Sequence, residues 1–288
     1  PSFFESDENN SIQYFNGWKY ELRDGIYRRT ERYVLKREKY VIFPEREQPF
    51  ISEYHPILLH GRLLGGIYNG QWINTYNNEI PESELVQGGE TYRLYNKDGY
   101  VGEDIGSIAQ VVILADSETL VRMKNDKHAA IAINAEWPVL PRISADIATN
   151  TTFNSVIRAK LNKMGLKSSP VKITKIVQCD IEGDGLNEYI ITAYYNKGED
   201  IMFSDSGDYS IVLIHSEKKD CEDVVLYAWT SDWPFDVADD VYTMDLNGDG
   251  ILEVILEMHY YEGEITGVFS KADAEGEFKS VLSWVYGL

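Results

Sequence analysis

Two nine-residue loops constrain this chain more than anything else in its sequence. The first reads Asp180-Ile181-Glu182-Gly183-Asp184-Gly185-Leu186-Asn187-Glu188 and the second Asp245-Leu246-Asn247-Gly248-Asp249-Gly250-Ile251-Leu252-Glu253. Each places oxygen-bearing side chains at positions 1, 3, 5 and 9 and glycine at position 6. Each is entered and left through runs rich in β-branched and aromatic residues, the composition of strands. The spacing therefore predicts the same strand–loop–strand unit twice, with first aspartates 245 − 180 = 65 residues apart.

Alternate oxygens on a short loop are the donor set of a hard cation. Calcium takes about 6 to 8 oxygens at about 2.4 Å. Asp180, Glu182, Asp184 and Glu188 supply carboxylates in the first loop, and Asp245, Asn247, Asp249 and Glu253 supply the oxygens of the second. Position 7 needs only a backbone carbonyl, so Leu186 and Ile251 complete the two sets. Gly at position 6 permits the sharp turn. Without an ion, several carboxylates repel at close range, which links folding to metal occupancy. Up to two structural calcium ions are expected. Glu182 is a longer side chain than the Asn247 at its equivalent position, so the second loop is expected to bind more tightly. An EF-hand would place its closing Glu at position 12, but Ile191 and Leu256 stand there and both flanks read as strands.

The strand–loop–strand form resembles the FG-GAP or VCBS-type calcium repeat found in the propellers of integrin alpha subunits. The resemblance covers roughly residues 171–288 and rests on the eight side chains above and their Gly-Asp-Gly centres. It implies structural calcium on the hairpins of β-blades. With Gly207-Asp208-Tyr209-Ser210 and Tyr260-Tyr261-Glu262-Gly263, the run is also similar to exported bacterial proteins carrying this repeat.

The rest of the chain reads as β with little helix. Asn16-Gly17, Asp24-Gly25, Asn69-Gly70 and Asp98-Gly99 suit tight hairpin turns. Gln110–Leu114 and Ala129–Ala135 read as buried strands. Leu64-Gly65-Gly66-Ile67 and Gln87-Gly88-Gly89-Glu90 read as turns. Pro81–Val86 is a short helix candidate. Phe153, Val156, Ile157, Leu161 and Met164 recur at helical spacing, with Thr151 or Thr152 as cap and Gly165 as stop. A boundary near residue 150 separates a β-rich N-terminal domain (1–150) from a helix plus two calcium-loop repeats (151–288). Eight strands are expected after the helix, in two blade-like antiparallel four-stranded sheets. A closed propeller usually needs at least four blades and only two loops occur, so the expected fold is not a closed propeller.

Composition narrows the function. With 27 Lys plus Arg against 47 Asp plus Glu, the formal charge is −20. The first 150 residues carry 16 − 22 = −6 and the remainder 11 − 25 = −14, so the excess acid lies with the loops. This balance argues against nucleic acid and anionic membranes as partners. No apolar run is long enough to span a bilayer. Cys179 and Cys221 leave open a single bridge or two thiols. His55, His60, His128, His215 and His259 form no close metal pair. Trp18, Trp72, Trp137, Trp229, Trp233 and Trp284 read mainly as core, with Trp233-Pro234-Phe235 the best candidate for an exposed platform. The opening residues hold no basic or apolar leader segment and no initiator Met, so the chain reads as a mature or trimmed product with any export signal already removed, which by itself says nothing of compartment.

These readings converge on a calcium-stabilised protein of the cell envelope or exterior. It would act as a non-enzymatic binding or adhesion module for a protein or carbohydrate ligand. The competing expectation is a secreted hydrolase with its active site in the N-terminal half and the repeats as scaffold.

Overall fold

The computed structural model describes strands at residues 5–6, 12–15, 18–23 and 26–32. It further describes residues 53–74, 85–97, 99–113, 117–125, 127, 129–198, 204–218, 221–230, 236–260, 263–271 and 276–286. The protein is mainly β, and the described residues form four antiparallel sheets with no closed barrel among them. Strands β1 (Glu5–Ser6), β2 (Ile12–Phe15), β3 (Trp18–Arg23) and β4 (Ile26–Arg32) form a meander. Its pairs Phe15↔Trp18 and Arg23↔Ile26 leave two-residue connections, although those turn residues lie outside the described set. Asn69 and Gly70 are described, and their φ values of 50° and 72° give the predicted left-handed turn.

The second sheet has eight strands in the order β10-β11-β6-β5-β12-β8-β9, with β7 also on β6. These are β5 (Tyr54–Leu59), β6 (Arg62–Tyr68), β7 (Gln71–Asn74), β8 (Thr91–Asn96), β9 (Gly99–Ile105), β10 (Gln110–Ile113), β11 (Ser117–Leu120) and β12 (Ile131–Ile133). β12 is buried throughout, as expected. β10 is an edge strand, so Val111 is exposed and the reading of a buried strand there is corrected. Gly65 and Gly66 are not turn glycines either. They lie inside β6, where an added Cβ would sit 2.3 Å from the Ile73 carbonyl and 2.4 Å from that of His55. The helix candidate at 81–86 lies largely outside the described residues.

All eight strands expected after the helix are present. They are β14 (Ile173–Cys179), β15 (Glu188–Tyr195), β16 (Tyr209–Ser216), β17 (Val224–Trp229), β18 (Val237–Met244), β19 (Glu253–Tyr260), β20 (Gly263–Lys271) and β21 (Phe278–Tyr286). They form two meanders. The first gains a fifth strand, β13 (Ala145–Ile147), which pairs with β14. Ala-Asp-Ile is too short to carry a strand pattern of its own. The two loop hairpins share one register, with Cys179↔Glu188 in the first and Met244↔Glu253 in the second.

The sheet of β18–β21 is the middle layer. On one face Met244, Leu246, Ile255, Val268 and Leu282 pack against Ile57, Leu59, Leu64, Ile131 and Ile133 of the eight-stranded sheet. On the other, Val254, Leu256 and Met258 pack against Val177, Ile190 and Val212 of the five-stranded sheet. Burial on both faces explains why Val254-Ile255-Leu256 of β19 run apolar without alternating.

The helix α1 (Asn154–Lys163) covers the far face of the five-stranded sheet. Phe153, Ile157 and Leu161 pack on Ile176, Ile191 and Ile211. Phe153 stands at the N-cap with no side-chain cap bond, so neither threonine serves. The helix stops as predicted at Gly165, φ 84°, where Leu166 N–H donates to Leu161 O and Gly165 N–H to Asn162 O in a Schellman arrangement. Arg158 and Lys160, on the basic face, donate to Ser169 O and Asp223 O. Among the described residues no helix is long and apolar enough to cross a membrane.

Candidate metal centre

Both loops sit at the same end of their sheets and share one hydrogen-bond plan. Position 1 accepts from the loop's own backbone: Gly183 and Gly185 N–H donate to Asp180 at 2.7 and 3.0 Å, and Gly248 and Gly250 N–H donate to Asp245 at 2.7 and 3.0 Å. Position 5 accepts from position 7: Leu186 N–H donates to Asp184 and Ile251 N–H to Asp249. Position 9 closes the loop: Ile181 N–H donates to Glu188 at 2.9 Å and Leu246 N–H to Glu253 at 2.7 Å. A serine on the neighbouring strand donates to the other oxygen of each closing glutamate, Ser216 at 2.9 Å and Ser270 at 2.8 Å. The glycines at positions 4 and 6 all have positive φ, between 73° and 87°.

A segment of the connector from the eight-stranded sheet clamps the two loops together. Arg142 donates to Asp180 O (2.6 Å) and Ile181 O (2.8 Å) of the first loop and to Gly250 O (2.6 Å) of the second. Leu252 N–H donates to Ile181 O, which ties loop to loop directly. Asp245 N–H donates to Val139 O, and the Trp137 indole N–H to Asp245 O. The position 4 glycines admit this segment: a Cβ on Gly183 would meet the Arg142 guanidinium at 2.8 Å, and one on Gly248 the Trp137 ring at 2.9 Å.

The electrostatics of the loops differ. In the first, Glu182 pairs with both Lys218 and Lys271, and Lys218 also reaches Asp184 at 2.7 Å. Burial pushes the Glu182 carboxyl up, but the two lysines override it and hold it below its ordinary value. Lys218 in turn holds Asp184 low. In the second, Asn247 occupies the position of Glu182 and donates to Asp249. Among the described residues no Lys, Arg or His forms an ion pair with Asp245, Asp249 or Glu253. Glu253 is fully buried, and burial pushes its carboxyl up to about 8. Burial raises Asp245 as well.

Among the described residues no three His, Cys, Asp or Glu side chains stand close enough to hold an ion together. The carboxylates are turned onto loop N–H groups instead. Each carboxylate oxygen carries a second lone pair, so these bonds leave acceptor capacity. The second loop offers only hard oxygen donors and two buried acids, neither of them in an ion pair among the described residues. That chemistry fits a hard divalent cation. The first loop already has its cations.

The histidines are engaged separately: His55 with Asn134 O, His60 with Glu257, His215 with Asp223 and His259 with Asp239. His128 and Trp233-Pro234-Phe235 lie outside the described residues. Cys179 and Cys221 are both free thiols, which excludes the bridge. A cavity of about 240 Å³ opens where Asn96 and Lys97 meet Ser144, Asp146 and the β18 residues Val241–Met244, at the junction of the halves rather than within the N-terminal one.

Arg142, Trp137, Lys218, Lys271, Ser216 and Ser270 were not legible as site residues. The serines are equivalent in space, yet Ser216 follows its glutamate by 28 residues and Ser270 by 17, so no constant repeat offset finds them. Comparison of the chain with protein-family models, curated proteins and solved structures returns no match.

Proposed function

We propose that the second loop holds a structural calcium ion and that the protein is a calcium-stabilised, exported or cell-surface binding module of the FG-GAP or VCBS type. The observation that carries the reading is the pair Asp245 and Glu253, buried in an all-oxygen loop and in no ion pair among the described residues. Buried charges ordinarily persist only when paired or metal-bound. Asp245, Asn247, Asp249, the Ile251 carbonyl and Glu253 would hold the ion. Its chemistry there is charge neutralisation and cross-linking of the loop, with no reaction to perform. Leu246 N–H and Ser270 orient the closing Glu253 carboxylate, and Trp137 and Arg142 fix the loop against the connector. An exterior with calcium near about 1 mM would keep even a modest site filled, which supports the exported setting. The net charge of −20 supports protein or carbohydrate ligands over nucleic acid.

The experiment compares the wild-type chain with Asp245→Ala and Asp249→Ala. Wild type should gain thermal stability from calcium and both variants should lose that gain. Retained calcium response in both would refute the ligand set. Glycan and extracellular-protein arrays, probed with and without chelator, test the module reading. Turnover of an offered polymer without stable retention would replace it with the hydrolase.

A further inference from the structure

We infer that lysine, not metal, holds the first loop, and that Lys218 and Lys271 stand where a cation would otherwise be required. The inference rests on the reading that the second loop takes calcium. The loops share the bonds from their position 4 and position 6 N–H groups to the first aspartate and part at position 5, where Asp184 N–H donates to Asp180 but Asp249 N–H to the Asn247 side chain, so the difference between them centres on the position 3 side chain. At position 3 the first loop has Glu182 where the second has Asn247. The longer acid reaches two ammonium groups at once.

The pair is sheltered. The Glu182 side chain is 10% exposed and that of Lys271 11%. Lys218 adds a contact to Asp184, so the acids at positions 3 and 5 are both met. A divalent ion entering this loop would have to take Glu182 from both lysines and leave the Lys271 ammonium sheltered and unpaired, a costly arrangement. Lys271 also comes from β20 of the other repeat, one residue after the Ser270 that anchors Glu253. Its ion pair therefore ties the second repeat to the first loop. The ammonium groups both neutralise the acids and bridge the elements, the two tasks a structural ion performs.

The test counts calcium per chain by native mass spectrometry and equilibrium dialysis, on chelator-stripped protein re-equilibrated with calcium. Wild type should bind one ion, Asp249→Ala none, and the double variant Lys218→Met/Lys271→Met two. Two ions on wild type, or one retained by Asp249→Ala, would overturn the inference while leaving calcium binding by the protein intact. No ion on wild type but one on the lysine variant would support the inference and refute the reading of the second loop. No ion on either would refute both. Should the lysine variant not fold, wild type and Asp249→Ala decide together: one ion on wild type with none on Asp249→Ala supports the inference, and any other pair of counts overturns it.

Discussion

Arg142→Ala removes the clamp between the loops, and its cost follows from the bonds it breaks. The guanidinium donates to three carbonyls, Asp180 O, Ile181 O and Gly250 O, all within 2.8 Å. Ile181 O keeps the Leu252 N–H as a partner. Asp180 O and Gly250 O lose a charged donor. Hydrogen bonds to charged groups contribute about 1.5–3 kcal/mol each. The site is only partly buried, so water replaces some of that, and the expected loss is about 2–4 kcal/mol. Arg142→Lys should recover less than half, because one ammonium cannot reproduce a fork that spans two loops. Urea unfolding under saturating calcium measures both, with an unchanged m-value marking a pure stability effect. A loss below about 1 kcal/mol for Ala, or full rescue by Lys, would refute the clamp.

The two glycines of the second loop should differ. Both Gly248→Ala and Gly250→Ala cost about 1–2 kcal/mol for the left-handed backbone, but only at Gly248 does the new Cβ strike the Trp137 ring, so its midpoint should fall further. Thiol labelling should modify Cys221 alone in the native protein, because Cys179 is buried with its thiol pushed up to about 12, and both cysteines after unfolding without reductant. A single labelled thiol in denaturant would contradict the free cysteines. Hydrogen bonds to Glu257 and Asp239 raise His60 and His259 above their ordinary value. Their contribution to stability is complete below about pH 6.5 and is lost as pH rises through the raised folded values. The double variant His60→Gln/His259→Gln should flatten the unfolding free energy above pH 6.5, and an unchanged slope would refute the pairing.

The C-terminal half was legible because two signals coincide there. Oxygen spacing marks the loops, and β-branched runs between turn residues mark the strands, so β14 to β21 appear where expected. The helix announced itself through Phe153, Ile157 and Leu161, and its end through Gly165. Its cap did not, since the chain enters at Phe153 without a side-chain bond. β13 was hidden because three residues carry no period. Gly65 and Gly66 misled because glycine marks close backbone approach inside a strand as well as turns.

The site was half legible for a physical reason. Ligand spacing is local and reads directly, whereas Lys218, Lys271 and Arg142 reach the loops through tertiary contacts that leave no local pattern. The length of Glu182 alone already favours the second loop as the tighter one. The structure supplies another reason, since that length lets Glu182 meet two lysines.

The central claim is that the buried acids of the second loop need a cation. Calorimetric titration of chelator-treated protein with calcium, followed by melting with and without the ion, tests it most directly. The account predicts saturable binding of one equivalent and a raised melting temperature. No binding heat and identical melting curves would contradict it.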